Sequence, residues 1–108
     1  MSCWVYIILC KSGTLYTGVS DSFINRWLQH FKGCGARYVR NNGFDKPVFL
    51  QKVNSKSEAM CEEKFIKQQG RLYKQELILS DLNILNKNPD FVKASWLKQG
   101  RKGKPPWE

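Results

Sequence analysis

The apolar and polar positions of the chain sort into short runs with two different periods. From Cys3 to Cys10 apolar residues follow one another, and strand alternation places Trp4, Tyr6 and Ile8 on one face with Val5, Ile7 and Leu9 on the other. Lys11-Ser12-Gly13 marks a turn and Leu15 to Val19 a second short strand, so the chain is predicted to open with a β-hairpin. On that second strand Tyr16 and Gly18 share a face. The period then lengthens. Behind Ser22 as N-cap, Phe23, Ile24, Trp27, Leu28 and Phe31 predict a helix over about 23–31 with its apolar side on the sheet. Arg26 and His30, four residues apart, stack on one face of that helix. Gly33 and Gly35 end it and begin a basic loop from Lys32 to Arg40.

Pro47 opens a third strand, Val48 to Val53. Ser55 and Glu58 have capping-box spacing for a second helix over about 56–69. Gly70 breaks it, and a further helical stretch covers Leu72 to Leu82. Asn88 and Pro89 start a last helix with Phe91 to Leu97 as its body and Gly100 as its stop. The tail from Lys98 to Glu108 is basic, rich in Gly and Pro, and expected to be loose. The order β-β-α-β-α-α with an extra C-terminal helix defines an α+β fold, a small, mostly antiparallel three-stranded sheet flanked by helices.

The 108 residues suffice for about one compact domain, and 42% hydrophobic with 13% aromatic content excludes a disordered chain. No apolar run approaches the roughly 18 residues of a membrane span. Met1-Ser2-Cys3-Trp4 carries no basic n-region, so no signal peptide is expected and the protein is placed in the cytoplasm, with no membrane partner. The net charge of +9 changes the picture more, because a surplus of that size favours polyanions through counterion release. Charge alone does not separate DNA from RNA or from an anionic membrane. Cys3, Cys10, Cys34 and Cys61 form no C-x-x-C pair and read as free thiols, which argues against a structural zinc.

One carboxylate stands out. Glu63 falls between Ala59 and Met60 on the preceding helical turn and Ile66 on the next, inside the apolar stripe. It is either a boundary glutamate reaching water or a carboxylate that needs a cation as partner. Tyr6 and Tyr16, taken singly, are ordinary strand residues, and Arg26 with His30 is ordinary in a basic helix.

Taken together they are less ordinary. Val5-Tyr6-Ile7 stands ten residues before Tyr16-Thr17-Gly18, then come the helix with Arg26 and His30, the loop Gly33-Cys34-Gly35-Ala36-Arg37-Tyr38, and Glu58-Ala59-Met60-Cys61-Glu62-Glu63 with Ile66-Lys67. This order resembles the GIY-YIG nuclease superfamily over residues 3 to 79, most of all its small single-domain YhbQ-like members, and is similar to the N-terminal nuclease domain of the excision-repair protein UvrC. The first motif reads Trp4-Val5-Tyr6 and the second Tyr-Thr-Gly; both keep the tyrosines and are usual among YhbQ-like members.

The resemblance implies a GIY-YIG fold over 1–80 and an endonuclease that hydrolyses DNA phosphodiesters in repair or recombination, while residues 81–108 read as a C-terminal helical extension and basic tail. It implies Tyr6, Tyr16, Arg26, His30 and Glu63 as catalytic residues, with Glu63 holding one Mg²⁺ or Mn²⁺. Glu62 is adjacent, but the spacing from Glu58 and the stripe position favour Glu63. Tyr6 would serve as general base with a phenol pKa lowered by the metal and Arg26, helped by Tyr16 or His30, while Arg26 stabilises charge on the phosphate.

Lys32, Arg37, Tyr38, Arg40 and Lys67 are the expected nucleic-acid contacts. The stretch after about Leu79 finds no counterpart in the resemblance. It reads first as a solvated terminus, or else as a DNA-contacting arm built on Trp96, Trp107, Lys98, Arg101, Lys102 and Lys104. The rival function is a DNA- or RNA-binding module on the same fold with little cleavage of its own; Trp4 and Tyr6 on one sheet face would suit RNA. A protein partner supplying specificity fits either reading.

Overall fold

In the computed structural model, which describes residues 2–108, β1 (Cys3–Cys10) is the central strand of a three-stranded antiparallel sheet ordered β2-β1-β3. β2 (Leu15–Ser20) pairs with it so that Tyr6 lies opposite Gly18 and Ile8 opposite Tyr16. β3 (Phe44–Val53) pairs on the other side and starts four residues before the expected Val48. Pro47 therefore lies inside a strand. It is tolerated because β3 is an edge strand and its register slips beside Pro47, between the partners of Ile7 and Ile8.

Each face of the sheet carries its own core. Tyr6, Ile8 and Cys10 pack with Phe23, Ile24, Trp27 and Leu28 of α1 (Phe23–Phe31). Val39 of α2 (Arg37–Asn42) joins the same cluster. Cys3, Val5, Ile7 and Phe49 face the other way, onto Ala59 and Ile66 of α3 (Lys56–Lys67) and Leu77 of α4 (Arg71–Ile78). The helical period placed α1 correctly but not its whole apolar side. Phe31 is 44% exposed, and His30 is buried in its stead. Similarly Met60 of α3 lies in solvent, so the stripe around Glu63 narrows to Ala59 and Ile66. The Ser55 hydroxyl accepts from the Glu58 amide at 3.1 Å and caps α3, whereas the Ser22 side chain makes no cap bond.

The C-terminal part differs most from expectation. The helix from Leu72 is shorter, and a four-residue α5 (Ile84–Lys87) precedes α6 (Phe91–Lys98). Between α4 and α5 the fully buried Asn83 makes four bonds. Its amide donates to the carbonyls of Val48 and Ile78, both at 2.8 Å, and its oxygen accepts from the amides of Leu50 and Leu85, both at 3.1 Å. The tail is not loose. Pro105 is buried, and Trp107 packs edge-on against Trp27 and Trp96 and tilted against Phe44. Val92 and Trp96 belong to the same core cluster as Tyr6. Among the described residues no helix is long and apolar enough to cross a membrane.

Candidate active site

β1 and β2 place Tyr6 and Tyr16 on one side of the sheet, and α1 lays His30 across them. The Tyr6 hydroxyl lies 3.0 Å from His30 Nε2 with both side chains buried, and the His30 ring sits 5.7 Å edge-on to Tyr16. Two glycines make room. A Cβ on Gly18 would stand 2.5 Å from the Tyr6 hydroxyl, and one on Gly35 would collide with His30 Nδ1. The motif glycine of β2 is thus there for close approach of a side chain, and the loop glycine does the same service for the imidazole.

Burial sets the protonation of this pair. It holds the His30 imidazole down to about 4, with Arg26 adding to the effect, so the ring is neutral near pH 7. Burial also pushes the Tyr6 phenol above its usual range, reinforced by Tyr16 and Glu63; Arg26 pulls it down but does not prevail. The expectation of a lowered Tyr6 pKa is therefore reversed in the protein alone. The Tyr6 hydroxyl and His30 Nε2 share this one hydrogen bond, and Nδ1 is buried without a partner against Gly35.

Glu63 comes from the opposite face. α3 crosses β1 and β2, and the Glu63 carboxylate, 22% exposed, lies 3.3 Å from Lys67 Nζ. Lys67 in turn sits 5.6 Å over the Tyr16 ring, while Tyr38 stacks on Tyr16 at 5.8 Å. Glu62 points to solvent, which separates the two adjacent carboxylates. Arg26 is half-buried, bonds Gln29 at 2.9 Å, and lines an adjoining depression of about 380 Å³ with Ser20, Asp21 and Lys56. Tyr16, Arg26, His30 and Glu63 are thus gathered around Tyr6 toward the β2 edge.

Among the described residues no three His, Cys, Asp or Glu side chains cluster as a metal cage. A single carboxylate nevertheless fits a magnesium-type ion, which keeps several waters and takes one or two protein carboxylates besides substrate phosphate. The Lys67 partner is a half-exposed i,i+4 pair of the kind worth at most about 1 kcal/mol, so a dication can displace it.

Of the expected nucleic-acid contacts, Arg37, Tyr38 and Arg40 lie on the short helix α2 and not on a loop, and all three are exposed. Tyr38 and Lys67 flank Tyr16, and Lys32 is exposed at the C-terminal end of α1. Sequence reasoning missed Lys56 beside Arg26, and also Arg71 and Lys74. The Lys74 ammonium is held down by burial first, then by Lys67 and Arg71, so these cations crowd one another. Arg71 also bonds the Gly13 carbonyl at 2.7 Å, tying α4 to the hairpin turn. The aromatic face of β1 does not present an RNA platform, because α1 covers it and leaves Tyr6 1% exposed.

A sheet edge carrying two tyrosines, a histidine, an arginine and a helix glutamate defines a class: the chain belongs to the GIY-YIG family, and residues 2–76 match the model of the GIY-YIG catalytic domain, a nuclease domain. Its relatives are UPF0213 proteins. One from Clostridium perfringens is 40% identical over 77 residues, covering 71% of this chain and 83% of that protein. One from Oceanobacillus iheyensis is 41% identical over 75 residues, covering 69% and 87%. The solution NMR structure of a UPF0213 protein from Bacillus halodurans superposes with a TM-score of 0.51 at 33% identity, covering 84% of this chain and 97% of that one. A UPF0213 protein from Aeromonas hydrophila is 31% identical over 103 residues, 95% of this chain and 72% of that protein. The C-terminal extension thus has a counterpart in at least one relative.

Proposed function

We propose that this protein is a metal-dependent endonuclease that hydrolyses DNA phosphodiesters, acting in the cytoplasm in repair or recombination, with specificity supplied by DNA structure or a protein partner. The observation that carries the reading is the buried 3.0 Å bond between the Tyr6 hydroxyl and a neutral His30, cleared by Gly18 and set near the Glu63 carboxylate. Neither core packing nor DNA binding alone calls for that arrangement.

Tyr6 Oη takes a proton from the attacking water as its own proton moves to His30 Nε2. Arg26 sets positive charge against the pentacovalent phosphate, and Tyr16, fixed between Tyr38 and Lys67, borders the scissile strand. Glu63 would hold the Mg²⁺ or Mn²⁺ ion, which when bound supplies positive charge to a phosphate oxygen and to the leaving 3′ oxygen. The products carry 5′-phosphate and 3′-hydroxyl ends.

Supercoiled plasmid and a panel of branched and single-stranded oligonucleotides, incubated with Mg²⁺, Mn²⁺ or EDTA, test this. Cleavage that needs metal and falls about 10²- to 10⁴-fold in both Tyr6→Phe and Glu63→Ala is expected. A wild type that binds these DNAs but cuts none with either metal sinks the proposal and leaves a binding module.

A further inference from the structure

The segment from Phe91 to Trp107 contains Lys93, Lys98, Arg101, Lys102 and Lys104 and no carboxylate. The one ion pair among the described residues is Glu63–Lys67, so none of these cations is neutralised. Their backbone is fixed all the same. Gly100 and Gly103, both at positive φ, turn the chain, and the Trp96 indole N–H donates to the Lys102 carbonyl at 3.1 Å. The Arg101 guanidinium lies 4.9 Å over the Trp96 ring and donates to Asn25 Oδ1 of α1 at 3.4 Å. Beyond the turn, Trp107 anchors the chain on Trp27.

These anchors hold the backbone, while the Lys98, Lys102 and Lys104 side chains are exposed. Asn25 adjoins Arg26 on α1, and Asp21 lines both the depression that holds Arg26 and a neighbouring one that holds Gln99 of the loop. A polyanion lying on the catalytic edge therefore passes within reach of the loop. Because the loop is already ordered, contact costs little conformational entropy.

We propose that the loop Lys98–Lys104 is a second contact for the DNA backbone, a fixed arm beside α1 that sets affinity for the duplex and not the rate of bond cleavage. The inference rests on the nuclease reading only for the identity of the polyanion. Exposed lysine heads without a base-reading partner make it a phosphate contact, blind to sequence.

The test is binding of fluorescent 20-base-pair DNA in EDTA across a salt series, with wild type, K98A/K102A/K104A and the charge-keeping K98R/K102R/K104R. Each lost phosphate contact lowers the slope of log affinity against log salt by about 0.9, so a fall of about 2 to 3 is expected. At about 0.1 M salt the alanine variant should bind at least ten-fold more weakly, and the arginine variant like wild type. In Mg²⁺ its cleavage rate at saturating DNA should stay within two-fold of wild type.

An unchanged slope in the alanine variant overturns the proposal, as does equal loss in the arginine variant. Absence of wild-type binding, or tighter binding of an RNA duplex with the same variant dependence, overturns it too. Because binding is read without metal, a wild type that binds through the loop but never cuts sinks the nuclease and leaves the arm standing.

Discussion

The two edges of the sheet are finished in opposite ways. At the β3 edge Asn83 takes the outward Leu50 amide and the Val48 carbonyl beside the strand irregularity, so polar backbone is closed off by a fully satisfied side chain. At the β2 edge buried polar atoms are left open: His30 Nδ1 has no partner, and the proposed catalytic residues gather there, with Lys67 over Tyr16 and crowded by Lys74. One edge contributes stability, and the other gives some up for the chemistry proposed there.

The largest effect that would sharpen this contrast is at Asn83. Asn83→Ala removes the side-chain partner of the Val48 carbonyl and of the Leu50 and Leu85 amides, while the Ile78 carbonyl keeps Asn86, and should cost about 3 kcal/mol in urea unfolding. Cleavage per folded molecule should survive well below the melting temperature. Loss of activity at full folding would break the division between the edges.

A smaller effect is expected at Gly18, where both properties should fall together. An added methyl would meet the Tyr6 hydroxyl at 2.5 Å and its ring carbon at 2.6 Å, with strand backbone on one side and a packed phenol on the other. Gly18→Ala should cost about 2 kcal/mol by overpacking and cut cleavage as strongly as Tyr6→Phe. If activity persisted, the position of the Tyr6 hydroxyl would not matter to the reaction.

Much of the β2 edge was legible in the sequence, and little of the β3 edge was. Tyr6, Gly18 and Tyr16 share a face through the period of two, and Arg26 and His30 through the helical repeat. These are short-range rules, and the motif order supplied the rest. Burial of His30 in place of Phe31 was hidden because the spacing of apolar residues says nothing of which polar side chain Gly35 makes room for. Lys67 over Tyr16 depends on how α3 crosses β2, a tertiary fact. Asn83 stands in a run, Ser80-Asp81-Leu82-Asn83, that reads as polar turn. Only the fold brings β3 to it, and α5, at four residues, is too short to show a period. Trp107 likewise looked like the end of a basic tail until its ring was found on Trp27.

The smallest expected effect is a pH dependence that belongs to the β2 edge alone. His30 has its pKa lowered from 6.5 to about 4 by burial and Arg26, so the unfolded chain binds a proton that the folded one refuses between those values. Stability should therefore be complete above about pH 7 and fall as pH drops through the window, by about 1 kcal/mol at pH 5.5. Urea midpoints of the wild type measured between pH 8 and 5.5 should show this decline, and His30→Gln, which keeps a group able to accept from Tyr6 but does not titrate, should be nearly flat. Equal slopes in both proteins would mean that His30 is reached by water and protonates freely. The β2 edge would then be as well solvated as any surface, and neutral Nε2 would lose its proposed part in receiving the Tyr6 proton under mildly acidic conditions.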